Sequence, residues 1–431
     1  MNIHNIIIGT AIFLVVYFCI VSGKIHRTVA AVLGGMLMIL LKIVPQDKAF
    51  LYVDWNVVFL LVGMMIIVAV IGKTDFLQHL AIKRAKAARG DPYLIMGYLI
   101  FITAIFSAFL DNVTTVVFIA PISILIARDL EISPIPFLIS EAIASNVGGT
   151  ATLIGDPPNI MIGSAAHISF LSFLNNVAPP ILVILVFTPL MVRLLMKGKM
   201  KVPYERKARI MEFDSAKLIQ DKNLLKKTLI VFLFVIAGFF IHEYIDIEVA
   251  TIAMLGAFAL ILMLPEQKES VRELLSQIEW PSLFFFIGFF IMVGGLEELG
   301  IVKFLAEKLA ILFKGSLAIG TFLTLWFSGF ISAVFDNIPF VATMIPILKH
   351  VNISMGLPSI NPLWWALSLG ACLGGNMTMI GAAANVVITD ISDKNGYTIN
   401  FWEFFRYGFF ITIINLLISS LYLWLRYFLI K

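Results

Sequence analysis

Apolar residues along this chain run in long unbroken stretches, rather than in the alternation of a half-buried strand or the three-and-four spacing of a soluble amphipathic helix. Residues 6–22, 29–41, 57–71, 181–196, 229–240, 249–264, 283–295 and 409–425 form the cores of such runs. Each approaches the ~20 apolar residues that span a bilayer. The expected fold class is therefore an all-α polytopic membrane protein. The first run is followed by Lys24-Ile25-His26-Arg27 and not by a small-residue cleavage site, which predicts a retained helix rather than a signal peptide.

Polar interruptions of this pattern recur. Gly148-Gly149-Thr150-Ala151-Thr152-Leu153-Ile154-Gly155-Asp156-Pro157-Pro158-Asn159-Ile160-Met161-Ile162 returns as Gly374-Gly375-Asn376-Met377-Thr378-Met379-Ile380-Gly381-Ala382-Ala383-Ala384-Asn385-Val386-Val387-Ile388, with seven of fifteen positions identical. Asp111-Asn112 precedes the first stretch by 37 residues, and Asp336-Asn337 precedes the second by 38. At an offset of 225, Asp54-Trp55 with Gly63 matches Glu279-Trp280 with Gly288; Pro45 matches Pro265 at 220. Gly-rich, polar breaks at corresponding places in two apolar halves mark a secondary transporter built from internal repeats. The chain divides into a first repeat (1–200), a basic linker (201–227) and a second repeat (228–431).

Charge adds orientation. Only 13% of residues are charged against 60% apolar, and mean hydropathy is +0.98, whereas a soluble domain carries about 25% charged residues. The one long charged segment, 197–227, has ten Lys or Arg against four Asp or Glu, which places it in the cytoplasm by the positive-inside rule. Segment 73–90 carries a net +4, and its equivalent 297–314 carries zero. Opposite placement of these two implies inverted repeats, each crossing the membrane an odd number of times: about five spans and one re-entrant hairpin (92–128 and 317–350), with broken helices at the midplane. Both chain ends are then extracytoplasmic.

The intramembrane polar residues carry the candidate chemistry. An Asp at the bilayer centre costs about 2.5–3.5 kcal/mol, so Asp111 and Asp336 at the hairpin tips need a reason. Each suits an N-cap, and each suits Na+ or proton binding, with Asn112 and Asn337 beside it. Thr114, Asn146, Gly149, Thr150, Thr152, Gly155, Asp156 and Asn159 in the first half, and Gly375, Asn376, Thr378, Gly381 and Asn385 in the second, complete the candidate ion- and substrate-binding set. A broken helix frees carbonyls for a cation and amides for an anion; the same glycines also suit close helix packing. Asp156 before Pro157 reads equally well as an N-cap. The six histidines show no paired ligand spacing and the two cysteines no framework, so no metal site, disulfide or other cofactor is expected. The absence of a phosphate-binding Gly-Lys loop argues against an ATP-driven pump. The basic linker is better explained by topology than by nucleic acid, and no enzymatic constellation is present.

Asp111-Asn112-Val113-Thr114-Thr115, Asn146-Val147-Gly148-Gly149, Gly155-Asp156-Pro157-Pro158-Asn159 and Asp336-Asn337-Ile338-Pro339-Phe340 resemble the P-protein (pink-eyed dilution, oculocutaneous albinism type II) group of the ion transporter superfamily. That superfamily also holds arsenite permeases, NhaD-type sodium/proton antiporters and divalent anion/sodium symporters. The resemblance implies a homodimer in the cytoplasmic membrane and an elevator mechanism, with scaffold spans and a mobile part made of hairpins and broken helices. It implies ion-coupled secondary transport of a small inorganic ion. Na+/H+ antiport is favoured, and arsenite or antimonite efflux, citrate or dicarboxylate symport and an anion channel stand as alternatives. Where the symporters carry Ser-Asn-Thr tips this chain has Asp-Asn, which disfavours a dianionic substrate.

Overall fold

The computed structural model describes residues 3–196, 198, 200, 202–212, 218, 219, 221–264, 267–356 and 359–429. Pro265 and parts of the basic linker lie outside the described residues. The described residues are helical throughout, without strands. Nine helices among them are long and apolar enough to cross a membrane.

One succession of helices runs through residues 3–195: α1 (Ile3–Ser22), α2 (Arg27–Leu40), the short α3 (Gln46–Ala49), α4 (Trp55–Gly72), α5 (Phe76–Ala87), α6 (Pro92–Ser107), α7 (Asn112–Asp129), α8 (Ile135–Thr150), α9 (Pro157–Ala165) and α10 (Phe170–Leu195). After the linker helix α11 (Tyr204–Arg209) the same order returns. It comprises α12 (Lys222–Ile241), α13 (Val249–Leu262), α14 (Gln267–Ser276), α15 (Trp280–Glu298), α16 (Ile301–Leu312), α17 (Leu317–Val334), α18 (Asn337–Met355), α19 (Asn361–Gly374), α20 (Ala383–Lys394) and α21 (Phe401–Trp424). A 3-10 turn, Gly375–Met377, continues α19.

Local chemistry sets these boundaries. Asp91 caps α6 through the amides of Tyr93 and Leu94, with Pro92 at the first helical position. Asp54, Ser169, Asp221 and Asn400 cap α4, α10, α12 and α21 in the same way. The turn at Gly356 ends α18 with a φ of +60°, a conformation that favours glycine.

Packing pairs the halves reciprocally. α2 lies against α15, and α4 against α13. The matched glycines permit both crossings: a Cβ on Gly63 would stand 2.7 Å from the Ala253 carbonyl carbon, and one on Gly288 would stand 2.6 Å from that of Ala31. Within each half the first hairpin arm packs on the broken helix, α6 on α8 and α17 on α19. Ser107 donates to the Ser145 carbonyl, and Ser332 to that of Ala371, both at 2.6 Å. The second arms cross over, α7 meeting α20 and α18 meeting α9. The hairpin tips of both halves are thereby brought to one place. α1 and α12 are largely exposed apolar helices at the periphery, whereas α4 and α15 are mostly buried; the exposed apolar surface is what a bilayer covers.

Candidate functional site

Asp111 stands at the turn between α6 and α7. Its carboxylate accepts hydrogen bonds from the amides of Val113 (2.9 Å) and Thr114 (3.0 Å) and from the Thr114 hydroxyl. Asp336 accepts from the Ile338 amide at 3.1 Å. Both are helix caps, and a capping carboxylate keeps lone pairs for another partner. At Asp336 that partner is Arg27, from the start of α2, at 3.0 Å. The other guanidinium nitrogen of Arg27 donates to the Ser282 hydroxyl at 3.1 Å and lies 3.8 Å from Glu279. The guanidinium also sits 5.5 Å from the centre of the Phe285 ring, a favourable placement for a cation.

Asp156 occupies the N-cap position of α9, with Pro157 at N1, yet its side chain does not cap. Instead its Oδ2 accepts from Nδ2 of Asn337 at 3.3 Å, across the halves. Asp111 and Asp336 are close enough to act on it electrostatically. Around this point is a small cavity of about 30 Å³ lined by Arg27, Asp111, Asn112, Asp156, Glu279 and Asn337, with Ser282 and apolar neighbours. One water needs roughly 10–15 Å³ by the same measure, so the space suits a water or a bare monovalent cation. Val113, Pro157, Ile338 and Ala383 also line it, so the first turns of α7, α9, α18 and α20 face inward. Their N-terminal dipoles, each equivalent to at most about half a positive charge, offset part of the negative charge and let three carboxylates share one cavity.

Behind the cavity lies a buried amide network. Asn112 donates to Asn146 at 3.2 Å, and Asn146 donates to Asn376 (2.9 Å) and Asn385 (3.0 Å). Nδ2 of Asn376 is a buried donor without a partner among the described residues. Asn159 donates to the carbonyls of Gly149, Thr150 and Thr152, and its Oδ1 accepts from Ser368 at 2.7 Å and from the Cys372 thiol at 3.4 Å. Asn385 similarly holds the carbonyls of Gly375 and Thr378, both at 2.8 Å. Thr152 and Thr378 donate to the carbonyls of Ala108 and Ala333, tying each break to its hairpin. Thr150 donates to the Asn146 carbonyl one turn back. Gly149 and Gly155 bring two backbone segments together, a Cβ on Gly155 falling 2.6 Å from the Gly149 carbonyl; Gly381 stands in the same relation to Gly375.

Thirteen of the seventeen candidate residues fall into two groups; of the rest, Thr114 bonds to Asp111, Thr150 to the Asn146 carbonyl, and Asn146 joins Asn376 in the amide network. Asp111, Asn112, Asp156 and Asn337 line the cavity, and Asp336 is joined to it through Arg27. Thr152, Asn159, Thr378, Asn385 and the four glycines hold the breaks in shape, their hydrogen bonds spent inside the protein. Sequence reasoning passed over Arg27, Ser282 and Glu279. One signal was available: Glu279 replaces the repeat's Asp54, and whereas Asp54 caps α4 through Val57, Glu279 does not cap α15 and faces Arg27 instead.

An all-helical, multi-pass chain with two hairpin tips and two helix breaks gathered around buried charge defines a membrane transporter. The family model described as citrate transporter (CitMHS) matches residues 17–370, and the chain belongs to that family. It is 41% identical over 428 residues to an uncharacterized transporter of Mycobacterium bovis, covering 98% of this chain and 99% of that one. It is 33% identical to the P protein of Homo sapiens over 502 residues, 97% of this chain and 60% of the human protein. In fold it resembles the YdaH transporter of Alcanivorax borkumensis, whose crystal structure is described as revealing an unusual topology. There the TM-score is 0.60 at 14% identity, over 88% of this chain and 87% of that one. The protein therefore resides in a lipid bilayer and moves an ion or anion.

Proposed function

We propose that this transporter is an ion-coupled carrier of the cytoplasmic membrane whose site binds a monovalent cation or a proton, with Na+/H+ exchange as the favoured reaction. The observation that carries the reading is the cavity itself. Asp111, Asp156 and Glu279 face one arginine in a space of about 30 Å³. Such a site attracts a small cation and, in this conformation, has no room for an organic tricarboxylate. Na+ and H+ competing for the same carboxylates suffice for antiport. The halves act as inverted repeats, and α6–α10 with α17–α21 form the moving part against a scaffold of α1–α5 and α12–α16. The carrier works as a homodimer; a monomeric mass in lipid nanodiscs would remove that part of the reading.

The test is sodium-driven pH change in proteoliposomes, with Asp111→Asn and Asp336→Asn alongside. Asn caps helices as well as Asp does, so both variants should remain in the membrane and lose coupled flux. Undiminished coupling in both would sink the carboxylate assignment. A second reading, organic-anion transport, is favoured by the family's description and by Arg27, a cavity cation suited to a carboxylate. Tracer citrate uptake under imposed ion gradients, without sodium-driven pH change, would establish it.

A further inference from the structure

Glu141, in the middle of α8, lies outside both the cavity and the amide network, and neither accounts for it. It is fully buried in a helix whose residues from 136 to 150 are all buried. Its Oε1 accepts from the Ser123 hydroxyl of α7, and its Oε2 has no hydrogen-bond partner among the described residues. The second half carries Leu367 at the equivalent place, so the repeat's own architecture does not require a carboxyl there.

Among the described residues, the helices packed on α8 place no ion-pair partner beside Glu141. α6 and α19 carry no charged residue. The charged residues of the other packed helices are Arg128 and Asp129 on α7, Arg193 on α10, Asp390, Asp393 and Lys394 on α20, and Glu403 and Arg406 on α21; among the described residues none of them forms an ion pair with Glu141, whose side-chain hydrogen bond comes from Ser123. An isolated carboxylate in such surroundings costs far more than a neutral carboxylic acid with one unpaired hydroxyl. The acid form is the one that the packed state accommodates.

We infer that Glu141 is a second proton-binding group of the carrier, holding a proton while buried against Ser123 and releasing it when movement of α7 relative to α8 admits water. The step is a simple ionisation, carboxylic acid to carboxylate with the proton passing to water. Its role in coupling rests on the carrier reading above, whereas the bound proton does not.

Infrared spectroscopy of the full-length protein in liposomes separates the two. At neutral pH the protonated-carboxyl stretching band of the wild type should be diminished in Glu141→Gln. In Ser123→Ala, which removes the hydrogen bond and keeps the carboxyl, it should move to higher frequency. Asp111→Asn should leave this component unchanged. A Glu141→Gln spectrum identical to wild type overturns the bound proton, whatever the substrate proves to be, and an unmoved band in Ser123→Ala overturns its placement against Ser123. Flux measured across pH tests the coupling: a pH profile flattened by Glu141→Gln supports it, and an unchanged profile with the band lost refutes it.

Discussion

Gly148→Ala puts a single methyl group where α6 crosses α8. The added Cβ would lie 2.1 Å from the Ala104 carbonyl oxygen and 2.5 Å from its Cα, against ordinary contacts of 3.4 Å or more. Backbone cannot swing aside as a side chain does, so the helices must separate by about 1.3 Å. The 2.6 Å bond from Ser107 to the Ser145 carbonyl then stretches beyond hydrogen-bonding reach. Overpacking costs about 1–3 kcal/mol and the lost bond about 1 kcal/mol, while alanine's better helix propensity returns about 1 kcal/mol. The net expectation is a loss of roughly 1–3 kcal/mol, or about 5- to 150-fold in the folding equilibrium. Gly97, in the same α6, has nothing within 4 Å of its Cβ position, so Gly97→Ala should be neutral or stabilising by up to about 1 kcal/mol. Thermal unfolding midpoints in detergent, followed by tryptophan fluorescence, compare the two directly. A Gly148→Ala midpoint equal to or above that of Gly97→Ala would refute close backbone crossing as the reason for this glycine. Gly374→Ala, with a Cβ 2.3 Å from the Gly329 carbonyl, should repeat the loss in the second half.

Other perturbations probe the site. Arg27→Gln removes the ion pair with Asp336; with side chains 28% and 17% exposed, the pair lies between the surface and buried cases, and a loss of about 1–2 kcal/mol is expected. An unmoved unfolding midpoint would argue against that link. Asn159→Ala frees three carbonyls and strands the Ser368 and Cys372 donors, for an expected loss of about 2–4 kcal/mol, read from the same midpoint; wild-type stability would show that the break does not depend on this amide. Asp156→Asn preserves size and removes one cavity charge, so the sodium concentration for half-maximal proton flux should rise about tenfold or more, equivalent to about 1.4 kcal/mol. An unchanged sodium dependence would take Asp156 out of the site.

Read along the chain alone, the spans, the hairpin tips and the helix breaks were already legible. Apolar runs of bilayer length and glycine or proline interruptions are local features, and an Asp within such a run has a cost that demands explanation. The duplication strengthened these inferences, because Asp111 with Asp336 and Gly148 with Gly374 recur at nearly constant spacing. Which of the marked residues face a cavity and which merely hold a break together was decided only by tertiary structure. Asn159 and Asp156 lie three residues apart and both reach the other half, yet Asn159 spends its amide on the break's carbonyls, Ser368 and Cys372, whereas Asp156 lines the cavity and meets Asn337. The partnership of Arg27 with Asp336 joins positions 309 residues apart, and the seclusion of Glu141 depends on what six other helices fail to place beside it. Contacts across such separations leave no periodicity in the sequence. They arise when helices cross, and the crossing is set by shape and close packing rather than by any local preference.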